Sequence, residues 1–283
     1  RDKDLRTLPV SILDDLQPVD IEEYLSFLTY YEKDGQIYQN HEEGKARKLA
    51  TLNTFFGYFH KKEMIQKNAP SVVDVPRVKE KNIIRLDANE VAQLIDNIES
   101  GEKLTKQQKV WHERNKARDL AIVVTLLGTG VRVTELVGLD LSDLDFDNGA
   151  MRVIRKGGNE DIVYFGEETE EMLRNYLDER MKMTPAPGHE NALFISQNNT
   201  RITVRSVERL VKKYASTATV KKITPHKLRS TYGTALYQET GDIYLVADVL
   251  GHKNVNTTRK HYAAMKEENK RKAANIVQLR EKE

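Results

Sequence analysis

The chain has no cysteine. Disulfides, thiolate metal sites and cysteine nucleophiles are therefore excluded, and the absence suits a reducing cytosol. Long apolar runs are missing too. The longest, Leu120 to Leu127, is far short of the ~20 residues that cross a bilayer and reads as part of a buried helix. No secretory signal opens the chain, so a cytoplasmic location and no membrane partner are expected. An excess of one charge is also lacking: 45 basic and 43 acidic residues leave a net charge of +2. The total does not announce a nucleic-acid protein. No H-x-x-x-H pair is present, and neither a metal nor any other cofactor is expected. The chain opens on Arg1 rather than Met, so a preceding segment is expected.

What remains is a globular sequence. Its 283 residues correspond to about two domains, and 39% hydrophobic residues suffice for real cores. Charge is uneven along it. Between Arg201 and Arg229 stand nine basic residues (Arg201, Arg205, Arg209, Lys212, Lys213, Lys221, Lys222, Lys227, Arg229) against one acid, Glu208. Such a face can neutralise phosphates, or it can be a solvated helix surface.

The N-terminal part reads as helical. Asp20 and Glu23 stand at capping-box spacing after Pro18. Ile21, Tyr24, Leu25, Leu28 and Tyr31 follow at helical period. After a turn at Asp34-Gly35, a second helix carries Leu49, Leu52, Phe55, Phe56 and Phe59, flanked by bases that include Lys45 and Lys48. Residues 1–68 form this first domain. Residues 69–83, with Pro70, Pro76, Arg77, Lys79 and Lys81, read as a basic linker. A second, mixed domain spans 84–283. Asp87 and Glu90 cap its first helix. A helix from Ala117 to Leu127 is apolar nearly all round and therefore central. Gly128-Thr129-Gly130 ends it. Met151–Arg155 and Ile162–Phe165 form a hairpin about Lys156-Gly157-Gly158-Asn159. No internal repeat or low-complexity segment stands out. The fold class expected is mainly α with a small β-sheet.

Four segments carry candidate chemistry. Gly128-Thr129-Gly130-Val131-Arg132-Val133-Thr134-Glu135 sets an arginine at a helix start. Arg155-Lys156-Gly157-Gly158 puts a lysine at a hairpin tip. His226-Lys227-Leu228-Arg229 places two functional side chains on one helix face. Leu250-Gly251-His252 is followed by Thr257-Thr258-Arg259-Lys260-His261-Tyr262. Singly each is weak: a tip lysine is usually solvated, and Arg132 can simply pair with Glu135.

In this order, however, they resemble the integrase/Xer-type tyrosine recombinases of the phage integrase family. Their pattern is Arg, hairpin Lys, H-x-L-R, L-G-H and Tyr. The resemblance runs over roughly residues 84 to 265, and the N-terminal helices and basic linker resemble the family's SAM-like core-binding domain. It implies a site-specific recombinase that cuts and rejoins DNA through a 3′-phosphotyrosyl intermediate and a Holliday junction, without metal or ATP. Tyr262 is then the nucleophile. Arg132 and Arg229 clamp the non-bridging phosphate oxygens with planar forks. Lys156 is the acid for the 5′-oxygen. His226 assists proton transfer or holds the phosphate, His252 hydrogen-bonds the phosphate, and Glu135 orients Arg132. Lys45, Lys48, Arg77, Lys79, Lys81, Arg201, Arg205, Arg209, Lys212 and Lys213 are the candidate DNA contacts, with 201–213 as the groove-entering segment.

The partners implied are duplex DNA with an inverted-repeat core site, three further copies of the chain in a tetramer on two sites, and an accessory protein. The charged tail Lys266–Glu283, with a thin stripe of Ala273, Ile276 and Val277, would dock on a neighbouring subunit; a bland surface helix is the other reading. Two departures stand out. Ser230 occupies the position of the family's usual second histidine, and the step from His252 to Tyr262 is one residue longer than in many members. The biological task is integration or excision of a mobile element, or chromosome dimer resolution. Alternatives are a type IB topoisomerase-like enzyme and a non-catalytic DNA-binding protein on the same scaffold.

Overall fold

The computed structural model describes residues 8–77, 84–252 and 255 of the chain. It is mainly helical with two small antiparallel sheets. The backbone divides into two compact units, 1–81 and 82–283.

In the first unit, α1 (Pro18–Phe27) and α2 (Glu42–Lys61) flank a hairpin of β1 (Tyr30–Lys33) and β2 (Gln36–Gln39). The cap of α1 lies earlier than its sequence spacing suggests. Gln17 is the N-cap, and Asp20, not Glu23, accepts its backbone N–H at 2.7 Å. Pro18 at the first helical position loses nothing, because that N–H has no helical partner anyway. The apolar stripe also stops earlier. Tyr31 belongs to β1, where it stacks on Tyr38 across the hairpin. The turn is at Asp34-Gly35, both at positive φ.

Ile21, Leu25, Leu28 and Leu49 form the buried centre, joined by Ala69 and Val73. Residues 69–73 therefore pack in the first unit, rather than starting an extended linker. Leu49, Leu52 and Phe56 turn inward from α2, whereas Phe55 is 49% exposed. Neighbours in sequence sit ~100° apart on a helix, so Phe55 and Phe56 cannot share one face.

The second unit is built about α4 (Lys106–Thr129). It is longer than the apolar stretch alone predicts, because Thr105 and Gln108 form a capping box well upstream. Its residues Leu120 to Leu126 are all buried. Around it pack α3 (Ala88–Ser100), α5 (Val133–Gly138), α6 (Glu167–Arg180), α7 (Val204–Ala218) and α8 (Pro225–Thr240). Asp87 and Glu90 cap α3 reciprocally, as their spacing predicts. A three-stranded sheet, β3 (Leu144–Asp145), β4 (Ala150–Ile154) and β5 (Glu160–Tyr164), lies beside α5. The short α9 (Ile243–Val249) packs on α8. None of the described helices is long and apolar enough to cross a membrane.

Candidate active site

The site begins where α4 ends. Gly130 caps that helix at φ +64°, a left-handed conformation that costs a residue with a Cβ about 1–2 kcal/mol. A Cβ there would also lie 2.4 Å from Tyr232 Cδ1 and 2.9 Å from Leu250 Cδ2. The reversal makes Arg132 the N-cap of α5. Glu135, one turn on, accepts the Arg132 backbone N–H at 2.8 Å with one oxygen and Arg132 Nη1 at 2.7 Å with the other. The carboxylate is 2% exposed.

A second element comes from far along the chain. Leu250, Gly251 and His252 close α9 as a left-handed cap, with Gly251 at φ +59°. The His252 N–H donates to Ala247 O, and the Gly251 N–H to Asp248 O. This pattern leaves the next three carbonyls without helical donors. Three guanidinium groups take them in order. Arg155 Nη2 donates to Val249 O at 3.2 Å, Arg229 Nη2 to Leu250 O, and Arg132 Nη2 to Gly251 O at 3.1 Å. Cations favour a helix C-terminus, where the carbonyl ends concentrate negative potential. The half-buried His252 follows immediately.

Arg229 arrives on α8, which starts at Pro225. It is buried, and its Nη1 donates to Gly130 O at 2.5 Å. It thus ties α8 to both the α4 turn and the α9 cap. His226, three residues earlier, is exposed on the first turn. Ser230 donates to His226 O at 3.0 Å, a back-bond within the helix.

The hairpin joins through Arg155, a residue outside the expected set of catalytic and DNA-contacting side chains. Its backbone N–H donates to Asn159 O at 2.8 Å and closes the tip. Its side chain, 11% exposed, donates from Nε to Asp161 at 2.9 Å and from Nη1 to Glu135 at 3.0 Å. Glu135 therefore bridges Arg132 and Arg155. An acid two positions into the return strand, together with an acid at the α5 start, is the sequence signal for Arg155. Lys156 stands exposed at the tip. The structure thus gathers Arg132, Glu135, Arg229 and His252, and fastens the base of the Lys156 hairpin to them. Tyr262 lies outside the described residues.

The candidate DNA contacts separate into different kinds. Arg205, Arg209 and Lys212 are exposed on α7. Arg201 is committed elsewhere: it donates to the Val137 and Leu139 carbonyls and to Asp140. Lys213 reaches Asp119 at 3.3 Å and lies over the Tyr214 ring. Burial lowers its pKa, against the pull of Asp119. In the first unit Lys45 pairs with Glu42 at 2.6 Å, Lys48 is half-buried and Arg77 exposed. Lys79, Lys81 and the tail from Lys266 lie outside the described residues.

A buried polar chain supports α7 from behind. Tyr214 donates to Asp119 at 3.0 Å, and His112 Nδ1 lies 3.1 Å from the same hydroxyl. Burial, then Asp119, pushes the Tyr214 phenol up. Burial lowers the His112 pKa. Nearby acids are accounted for in the same way. Asp140 takes Arg201, Asp143 takes Arg152, and Asp145 takes Asn148. Among the described residues no group of three or more metal-ligating side chains gathers.

Comparison with known proteins bears on the family and the fold. The model of the phage integrase family matches residues 84–269. Tyrosine recombinase XerC of Corynebacterium glutamicum is 33% identical over 223 residues, which are 77% of this chain and 68% of that protein. Tyrosine recombinase XerS of Streptococcus agalactiae is 39% identical over 184 residues, 64% of this chain and 51% of that protein. Among solved structures, a XerH site-specific recombinase bound to a palindromic difH substrate after cleavage superposes with a TM-score of 0.70. The match is 22% identical and covers 93% of this chain and 73% of that one, a likeness of fold. The gathered arginines, the hairpin and the helix cap thus stand on the scaffold their order in the sequence implies, and the chain belongs to the phage integrase family of tyrosine recombinases.

Proposed function

We propose that the protein is a site-specific DNA recombinase that works through the side chains gathered at the α9 cap, with Tyr262 as nucleophile. The observation that carries this reading is the convergence of Arg132 and Arg229 on adjacent carbonyls directly before His252. A phosphodiester under in-line attack accumulates charge on its non-bridging oxygens. Two fixed guanidinium forks aimed at one place suit that charge, each donor contributing about 3–4 kcal/mol in comparable sites. Tyr262 Oη forms the bond to phosphorus as the bond to the 5′-oxygen breaks. The phenol proton leaves to His226, and Lys156 supplies the proton that the 5′-oxygen takes up. The phosphotyrosyl bond retains the energy of the broken ester, so the second strand's 5′-hydroxyl reverses the step without ATP.

The exposed Arg205, Arg209 and Lys212 face, with Lys48 and Arg77 in the first unit, supplies phosphate contacts whose affinity falls with salt. The substrate is duplex DNA with an inverted-repeat core. Four copies assemble on two sites through the tail 266–283, with an accessory protein as a further partner, and exchange proceeds through a Holliday junction. A mobile element or a chromosome dimer is the DNA so processed. The XerH relative, held on its palindromic substrate after cleavage, supports the DNA partner.

The test is a nicked suicide duplex incubated with wild type and with Tyr262→Phe, without added metal. A covalent adduct in wild type that is absent in the variant supports the reading. Recombination of paired sites then separates it from a topoisomerase. Binding without any adduct sinks the enzyme and leaves a DNA-binding scaffold.

A further inference from the structure

We infer that Arg155 is a positioning residue for the general acid: it fastens the Lys156 hairpin to the arginine cluster, so that acid and phosphate clamp keep one fixed geometry. The inference rests on the tyrosine-recombinase reading above.

Arg155 holds three elements with one side chain. Its Nε takes Asp161 on β5, its Nη1 takes Glu135 on α5, and its Nη2 takes the Val249 carbonyl at the end of α9. Its backbone closes the tip with Asn159 and Gly158. A hairpin tip with Gly157 and Gly158 at positive φ has little stiffness of its own. Lys156 is exposed there, and among the described residues the side chain that ties the tip to α5 and α9 belongs to the residue before it. The planar guanidinium suits this task because its donors point in fixed, different directions, whereas a lysine offers one rotating ammonium. The fit is close: a Cβ on Gly251 would lie 3.0 Å from Arg155 Cζ. Glu135 shares its carboxylate between Arg155 and Arg132. The hairpin is thereby referenced to the same carboxylate that orients the clamp.

A displaced acid slows leaving-group departure and leaves DNA affinity alone. Misplacement of about 1 Å costs about 10²-fold in rate. The test compares adduct formation by wild type, Arg155→Ala, Arg155→Lys and Lys156→Ala on two suicide duplexes. One carries the natural 5′-bridging oxygen, the other a 5′-bridging sulfur, whose thiolate departs without a proton. Melting curves and DNA affinity verify that each variant is folded. Asp161→Asn, which loses one exposed arm of the junction, is the milder variant should the others unfold.

The expected result is a loss of about 10²-fold on oxygen for Arg155→Ala and Arg155→Lys. Most of it is recovered on sulfur, with DNA affinity unchanged, and Lys156→Ala follows the same pattern. Asp161→Asn shows a smaller loss with the same recovery. A rate unchanged on oxygen, or a loss equal on both duplexes, overturns the inference while leaving Tyr262 chemistry intact. No adduct from wild type on either duplex removes the underlying reading, and this inference with it.

Discussion

Arg132 and Arg229 hold neighbouring carbonyls of one turn, those of Gly251 and Leu250. Arginines from two different helices thus act on one short segment. Replacing either with alanine should lower adduct formation about 10²–10³-fold. The double variant should lose less than the product of the two, because residues that act as a unit are not additive. Arg229→Lys should rescue little. One ammonium cannot serve both Gly130 and Leu250, and a stranded buried carbonyl costs about 1–3 kcal/mol. Single-turnover cleavage measures the first effect and thermal melting the second.

Glu135 is a nearly inaccessible carboxylate between two guanidinium groups. Glu135→Ala leaves Arg155 facing only Asp161 and a carbonyl. A loss of about 3 kcal/mol is expected for breaking such a buried pair, seen as a lowered melting midpoint. Cleavage should fall as well. A variant that melts like wild type would show that the bridge does not hold the site together.

Arg201 and Arg205 look alike in sequence and should behave oppositely. Arg201→Ala breaks the link to Val137, Leu139 and Asp140, so it should destabilise the fold. Arg205→Ala should leave melting unchanged while weakening DNA binding and reducing the salt slope by about 1. Equal salt slopes for wild type and Arg205→Ala would remove this residue from the DNA face.

Two groups, the buried His112 and the half-buried Glu90, set different pH windows. Burial keeps His112 below its ordinary 6.5, so the unfolded chain binds that proton first. Its contribution is full above about pH 6.5 and declines as pH falls toward the depressed value. His112→Phe should flatten melting across that range. Glu90 behaves differently. Burial disfavours its charge, but the Lys221 ammonium at 2.5 Å, the Thr219 hydroxyl and the Asp87 N–H outweigh that and hold it at about 2. Its contribution is present above its ordinary 4.5 and is lost as pH falls through about 2. Glu90→Gln should flatten only this more acidic limb. Melting scans in which each variant keeps the wild-type slope would contradict these assignments.

Much of the framework was legible before any coordinates. The capping box at Asp87, the glycine stop at Gly130 and the hairpin about Gly157-Gly158 are local, because each depends on a few adjacent residues. Where local signals competed, the reading slipped. Tyr31 continues a helical stripe by spacing, yet a strand hairpin claims it through stacking on Tyr38. Ala69 and Val73 follow a helix break like linker residues, yet they fill the first unit's core.

The candidate site shows the same division. The order Arg132, Lys156, His226, Arg229, His252 and Tyr262 is a property of the sequence, and so is the family it resembles. Charge alone could not tell Arg201 from Arg205, because both lie in one basic run. Tertiary structure decided that one arginine is spent on carbonyls at the C-terminal end of α5 while the other faces solvent. It also decided that three guanidinium groups meet the last carbonyls of α9. Those pairings span long separations in the chain. Local patterns report the backbone's own needs; which distant side chain meets them depends on how the helices pack.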